Sequence, residues 1–338
     1  MPQSERGPWR IAVRVPATRP LREVIATARR AESAGFDGAW FPDSHLNYRE
    51  VWTTLGAVAA ATDRIAIAPT VTNVLTRHLT VTASAARTVA EVAPGRFFVG
   101  LGSGDSAVGF DGLRPAAPAA LRAGVEALRT LWRGQAVRYG GFEAVLRGAA
   151  VDVPVYLAGS GPRVLELAGE VADGVILFMG NLEHKLSRVR AGAARAGRAP
   201  PPCHVYTSCA IVDDIGRVSR MMKSGCLRVA QLEGTAEFER AGIRLQVPPH
   251  RAGADGDWGH AADLDAASRR LDHIVSDEAA AWYAANRTLV GTARDIAARV
   301  MQLRALGIAG VTVSALSGTD LPDALVESVA PLLPELRR

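Results

Sequence analysis

Eight short apolar or β-branched runs punctuate the chain from end to end, at residues 11–15, 38–41, 65–71, 97–101, 155–158, 174–178, 204–212 and 310–314, each bounded by turn residues. Amphipathic stretches separate them: in 21–34, Leu21, Val24, Ile25, Ala28 and Ala31 share one helical face, and similar patterns run over 53–61, 81–92, 121–132, 164–171 and 296–306. Strands apolar on both faces need helices on both sides, so the sheet is parallel. Eight such units in 338 residues predict a closed α/β barrel of the (β/α)8, or TIM, type. A doubly wound sheet with a second domain would change pattern midway. Here the alternation breaks only twice, at 136–151, which reads as a small hairpin around Gly140-Gly141, and at 230–287. The second break has a Pro/Gly/Asp-rich centre at 247–260 between helical stretches at 266–275 and 279–287. We expect one domain over 1–338, with 230–287 inserted before the last strand as a lid on the barrel mouth. Its Trp258, Trp282 and Tyr283 either line a substrate pocket or pack the lid down.

In a barrel of this type the chemistry sits just past the strand C-termini. That selects Asp43, Ser44 and His45 after the second strand, Thr70, Val71 and Asn73 at the third, and Gly104, Asp105 and Ser106 after the fourth. His45 is either a proton donor or a cover on the rim, and Asp43 and Ser44 are either its partners or caps of the next turn. Asp105 is either an acid or the N-cap after a glycine turn. His78, just before a helix, suits packing or capping.

Two glycine turns follow strands. Gly159-Ser160-Gly161-Pro162 opens a helix whose unpaired N–H groups and positive dipole end suit a phosphate, with Pro162 fitted to a first helical position. Gly100-Leu101-Gly102-Ser103-Gly104-Asp105 repeats the strand-then-turn arrangement as a second ligand-facing loop. Composition bounds the rest. No apolar stretch approaches membrane-helix length and the first residues lack a signal-peptide centre, so a soluble cytoplasmic enzyme is expected. Cys203, Cys209 and Cys226 show no metal or disulfide spacing and read as buried thiols, and His184, His204, His250, His260 and His273 are scattered; no metal site is expected. The 39 Lys+Arg against 34 Asp+Glu are nearly all arginine, only Lys185 and Lys223 being lysine. No basic block argues for nucleic acid, although the excess favours an acidic ligand.

The segments FPDSHLNYREVWTTLGAVAAATDRIAIAPTVTNVLTRH, GRFFVGLGSGDSAV, PVYLAGSGPRVLELAGEVADGVI and VGTARDIAARVMQLRALGIAGVTV together resemble the luciferase-like flavin and deazaflavin oxidoreductases, most of all the methylene-tetrahydromethanopterin reductase branch. The resemblance covers most of the chain in order, missing mainly 230–287. It implies a bacterial luciferase-like barrel and a non-prolyl cis peptide at Thr70–Val71 behind the ring of the cofactor. Asn73 would lie at the ring's polar edge, Gly104 and Ser106 beside it, and Gly159, Ser160 and Gly161 on its phosphate. Asp105 falls where some relatives use a carboxylic acid, Asp43, Ser44 and His45 where many carry Asp-His, and Tyr48 near a tryptophan of some deazaflavin dehydrogenases; Tyr48 and Ser44 would face the substrate. The activity implied is hydride transfer between the deazaflavin F420 and a C=N, C=C or C=O group of a small substrate, with Asp105, His45 or Asp43 handling the proton. The arginine excess suits a polyglutamate tail. The alternatives are an FMN-dependent monooxygenase fed by a separate reductase and a flavin-binding protein without turnover. A homodimer or larger homo-oligomer is expected, and a flavin or F420 reductase as supplier of reduced cofactor.

Overall fold

The computed structural model describes residues 9–139, 141–249 and 263–337. In chain order the first half contains β1 (Arg10–Arg14), α1 (Leu21–Ser33), β2 (Gly38–Phe41), α2 (Val51–Ala61), β3 (Ala66–Pro69), α3 (Leu79–Val92), β4 (Val99–Leu101), α4 (Ser106–Phe110) and α5 (Pro118–Trp132). A small antiparallel hairpin, β5 (Val137–Tyr139) and β6 (Phe142–Ala144), precedes β7 (Val155–Ala158), α6 (Pro162–Val171), β8 (Gly174–Phe178), α7 (Leu182–Arg195) and β9 (Cys203–Ile211). Then follow α8 (Ile215–Ser219), α9 (Lys223–Glu233), α10 (Ala236–Arg240), α11 (Leu264–Arg270), α12 (Asp277–Arg287), β10 (Leu289–Gly291), α13 (Ala293–Ala305), β11 (Gly310–Ser314), α14 (Asp323–Val329) and α15 (Leu333–Leu336).

All eight expected strands form, and they pair in parallel in the order β3-β2-β1-β11-β9-β8-β7-β4. The bridges Ile67–Phe97 and Thr72–Leu101 join the two ends of this path, closing the (β/α)8 barrel. The strand faces alternate as pleating requires. Ile11 and Val13 point outward into the core shared with the helices, while Ala12 packs inward with Trp40 and Ala68. Rings fill the interior: Trp40 meets Phe98 edge-on at 4.8 Å, Phe98 stacks on Tyr156 at 4.3 Å, and Tyr156 lies 5.7 Å from His204. Glycines on the same strand or the next make the room. A Cβ on Gly38 would stand 2.5 Å from the Trp40 ring, and one on Gly174 would stand 2.4 Å from Tyr156. Burial, helped by Arg10, pushes His204 down to about 4, so it sits in this floor as a neutral ring. The three cysteines are free and buried, and burial pushes each thiol up to about 12.

The long break in the pattern is helical, but it begins earlier than residue 230, with α8 and α9 directly after β9. These helices enclose a second core of Met222, Leu227, Phe238, Leu271, Tyr283 and their neighbours. Trp282 packs at 4.7 Å from Phe238 and Tyr283 is 6% exposed, so both pack the helices together; Trp258, His250, His260 and most of 247–260 lie outside the described residues. The last three residues of β9, Cys209–Ile211, pair with the extra strand β10, which carries the chain back to the barrel. Charge fastens the module. Buried Lys185 on α7 donates to Phe178 O at 2.9 Å and pairs with Glu233 at 2.6 Å, and buried Arg287 pairs with both Glu233 and Glu237. Desolvation drags Lys185 down to about 8 even with Glu233 beside it. Among the described residues no helix is long and apolar enough to cross a membrane.

Helices α6 and α7 cross at glycines. A Cβ on Gly169 would lie 2.0 Å from Val189 O, and one on Gly192 would lie 1.9 Å from Glu166 O. Backbone cannot yield there as a side chain can. Gly56 on α2 has nothing within 4 Å of such an atom. Chemical denaturation should therefore show Gly192→Ala losing about 3 kcal/mol or more, against no loss for Gly56→Ala, where alanine's better helix propensity gives about 0.5–1 kcal/mol of gain.

Candidate active site at the barrel mouth

β7 ends at Ala158, and three residues later Gly161 is the N-cap of α6, with Pro162 at the first helical position. The two glycines of this turn have different causes. A Cβ on Gly159 would sit 2.5 Å from Val164 Cγ1, so packing requires that glycine. Gly161 has an ordinary extended backbone, φ −76 and ψ 146, and nothing within 4 Å of where a Cβ would be. Nothing inside the protein calls for glycine there. Among the described residues the N–H groups of Ser160, Gly161 and Arg163 meet no acceptor, and the helix dipole adds its positive end. An open, donor-lined space of this kind fits a phosphate.

The other glycine turn is built for the barrel seam. The Thr70–Val71 peptide is cis. Just beyond it, Thr72 N donates to Gly100 O and Gly102 N donates to Thr72 O, both at 2.9 Å. A Cβ on Gly100 would stand 2.6 Å from Pro69 O, and one on Gly102 would stand 2.8 Å from Val71 Cγ2. Gly100 and Gly102 thus let β4 approach the end of β3, which corrects their reading as ligand-facing residues. Gly104 holds φ +93, a left-handed backbone that favours glycine. Thr70 and Val71 remain half-buried at the mouth, whereas Asn73 is buried and holds its own loop: its Oδ1 accepts from Leu75 N and Thr76 N at 2.8 and 2.9 Å.

Every acid and base chosen from sequence has a partner. Asp43 is buried and receives both arms of Arg77, at 2.5 and 3.1 Å, while Arg77 also reaches Glu50 at 3.1 Å. Burial works to lower the Arg77 pKa, but Asp43 and Glu50 outweigh it and raise it above the ordinary value. Asp43 does not cap α2; Glu50 does, accepting from Thr53 N at 2.7 Å. His45 is exposed, with Nε2 3.1 Å from Asp111 Oδ1. Ser106 Oγ donates to Ser44 Oγ at 2.9 Å, so this contact and His45–Asp111 clasp the loops after β2 and β4. Asp105 stands at the N-cap of α4 without a side-chain cap bond; its carboxylate pairs instead with Arg228 of α9, tying the helical module to the mouth. His78 precedes α3 without capping it and meets Thr80 Oγ1 at 2.7 Å.

The structure adds residues that the sequence did not single out. Arg14, the last residue of β1, points into the barrel like Ala12 two residues before it. It is 8% exposed, donates to Tyr48 Oη at 2.8 Å and to Gly318 O at 2.9 Å, and lies over the Tyr48 ring. Burial works to lower its pKa, yet Tyr48 and Tyr206 raise it. Tyr48 is buried, and its own hydroxyl donates to Gly318 O at 3.3 Å. Tyr206 of β9 packs edge-on against Phe178 at 5.6 Å. An arginine inside the otherwise apolar run 11–15 was the one available signal.

Comparison with known proteins agrees with this geometry. The sequence model of the luciferase-like monooxygenase family matches residues 7–310. A 5,10-methylenetetrahydromethanopterin reductase of Methanolobus tindarius is 28% identical over 323 residues, 90% of this chain and 94% of that protein. The F420-dependent glucose-6-phosphate dehydrogenase of Mycolicibacterium fortuitum is 34% identical over 205 residues, 52% of this chain and 60% of that one. The solved coenzyme F420-dependent tetrahydromethanopterin reductase of Methanopyrus kandleri superposes with a TM-score of 0.77 at 21% identity, covering 98% of this chain and all of its own. With its barrel, its mouth and its sequence in agreement, the chain belongs to the luciferase-like monooxygenase family.

Proposed function

We propose that this chain is an F420-dependent oxidoreductase acting on a small organic substrate. The observation that carries the reading is the open Gly161 position, with its unpaired amides, at the start of α6. The backbone of Gly159, Ser160 and Gly161 holds the cofactor phosphate, and Thr70 and Val71 back the middle of the ring. Gly104 and Ser106 lie beside the ring, with Asn73 fixing the loop at its edge. When bound, the deazaflavin supplies hydride exchange with a C=N, C=C or C=O carbon. Ser44 and Tyr48 border the substrate side. His45, its Nε2 held by Asp111, gives or takes the accompanying proton at Nδ1, while Asp105, paired with Arg228, supplies a second carboxyl group. Asp43 acts through Arg77, fixing the loop that carries His45. The F420-dependent glucose-6-phosphate dehydrogenase at 34% identity and the methylenetetrahydromethanopterin reductase at 28% support this reading over its alternatives. We further place the enzyme in the cytoplasm as a homo-oligomer, supplied with reduced cofactor by a separate reductase.

An FMN-dependent monooxygenase is the second reading, favoured by the family's own description and by the phosphate and tricyclic ring that both cofactors share. Calorimetric titration with F420 and FMN, each oxidised and reduced, should give F420 a Kd lower by about tenfold or more. A preference for reduced FMN selects the monooxygenase, and binding of neither removes both readings. Gly161→Val should weaken F420 binding by about tenfold or more while the melting temperature stays unchanged, because the fold leaves that space open. An unaltered Kd would refute the phosphate assignment. With methylenetetrahydromethanopterin and glucose 6-phosphate as trial substrates, His45→Ala and Asp105→Asn should each lower kcat by about a hundredfold with F420 affinity retained. A lowered melting temperature with kcat intact would reduce Asp105 to its tie with Arg228.

A further inference from the structure

Four cations are buried among the described residues: Arg14, Lys185, Lys223 and Arg287. Lys185 faces Glu233, Lys223 faces Asp272 and Asp277, and Arg287 faces Glu233 and Glu237. Arg14 alone of the four has no carboxylate within 4 Å among those residues; its partners are a phenol and a backbone carbonyl, both uncharged. Buried charges are ordinarily paired with opposite charge, because desolvation is otherwise uncompensated. A guanidinium is also never relieved by losing its proton. Its fork uses one N–H of each terminal nitrogen on Gly318 and Tyr48, and it carries five donors in all.

Place decides which anion it awaits. Around the ring the strands run β1, β2, β3, β4, β7, β8, β9, β11, so β1, which ends in Arg14, stands diametrically opposite β7, which leads into the phosphate turn. The phosphate site proposed above thus lies across the barrel from this guanidinium. We propose that Arg14, oriented by Tyr48, is the substrate-anion subsite of the mouth, and that this enzyme takes substrates bearing a carboxylate. This rests on the reading above, in which the mouth holds the redox ring. Guanidinium and carboxylate match as a planar two-point pair, so the subsite sets the orientation of the substrate as well as its class.

The test uses matched pairs, benzoate with benzamide, cinnamate with cinnamamide and succinate with succinamide, titrated calorimetrically into the whole protein with and without F420. At least one carboxylate should bind about tenfold or more tightly than its amide. Arg14→Gln should erase that preference and Arg14→Lys should retain part of it, with the F420 Kd changed by no more than about threefold in either. Absence of a preference in every pair, or its survival in Arg14→Gln, would overturn the proposal. So would a loss of about tenfold or more in F420 affinity in Arg14→Gln, which would give Arg14 to the cofactor instead. Should that variant not fold, Tyr48→Phe removes the orienting hydroxyl; it should weaken the carboxylate more than the amide, and equal effects would count against the subsite. Failure of the F420 reading is seen separately, as wild-type protein that binds no F420 yet still prefers carboxylates.

Discussion

Closure of the barrel between β3 and β4 is the constraint on which the site depends. The other neighbouring strands share ladders of three or more residue pairs, but this seam has two isolated bridges and the hydrogen bonds of Thr72 with Gly100 and Gly102. Two missing Cβ atoms let the strands meet. With Gly100 against Pro69 O and Gly102 against Val71, the end of β3 is pressed to a fixed height at the mouth. The loops after β2 and β4 then clasp above it through Ser44–Ser106 and His45–Asp111. The positions proposed for ring support, proton transfer and substrate border thus descend from one tight contact.

A second device is electrostatic. The helical module has its own apolar core, and beside the β9–β10 pairing its position over the barrel is fixed by charge: Lys185–Glu233–Arg287–Glu237 on one side and Asp105–Arg228 on the other. Buried charges of both signs are demanding in geometry, since a displaced partner leaves its mate unpaired. They specify where the module sits, more than how firmly the chain folds.

The barrel was legible because its signal is local and repeated: short apolar runs and 3.6-residue stripes need no partner to be recognised. The glycine turn that opens α6 was legible for the same reason, each part lying within four residues. Less was legible where a residue's meaning depends on a distant one. Asp105 looks like a cap until Arg228, 123 positions later, is placed beside it, and Asp43 looks like a catalytic acid until Arg77 fills both its oxygens. Gly100 and Gly102 look like ligand contacts until the end of β3 is laid against them. The strand β10 is three residues long and pairs with the overhang of β9, a length at which periodicity carries no information.

The Arg14–Gly318 and Thr18–Thr319 hydrogen bonds join residues more than 300 positions apart, across the β1–β11 pairing that completes the ring. The surroundings of Arg14 are therefore completed only with β11, the last barrel strand in chain order among the described residues. A nascent chain, or one clipped before β11, can carry the 159–162 turn, the Gly100 and Gly102 seam and most of the helices and still lack the wall that orients this arginine. The setting of this arginine is in that sense a report on synthesis through β11, with contacts of such high sequence separation among the slowest to form.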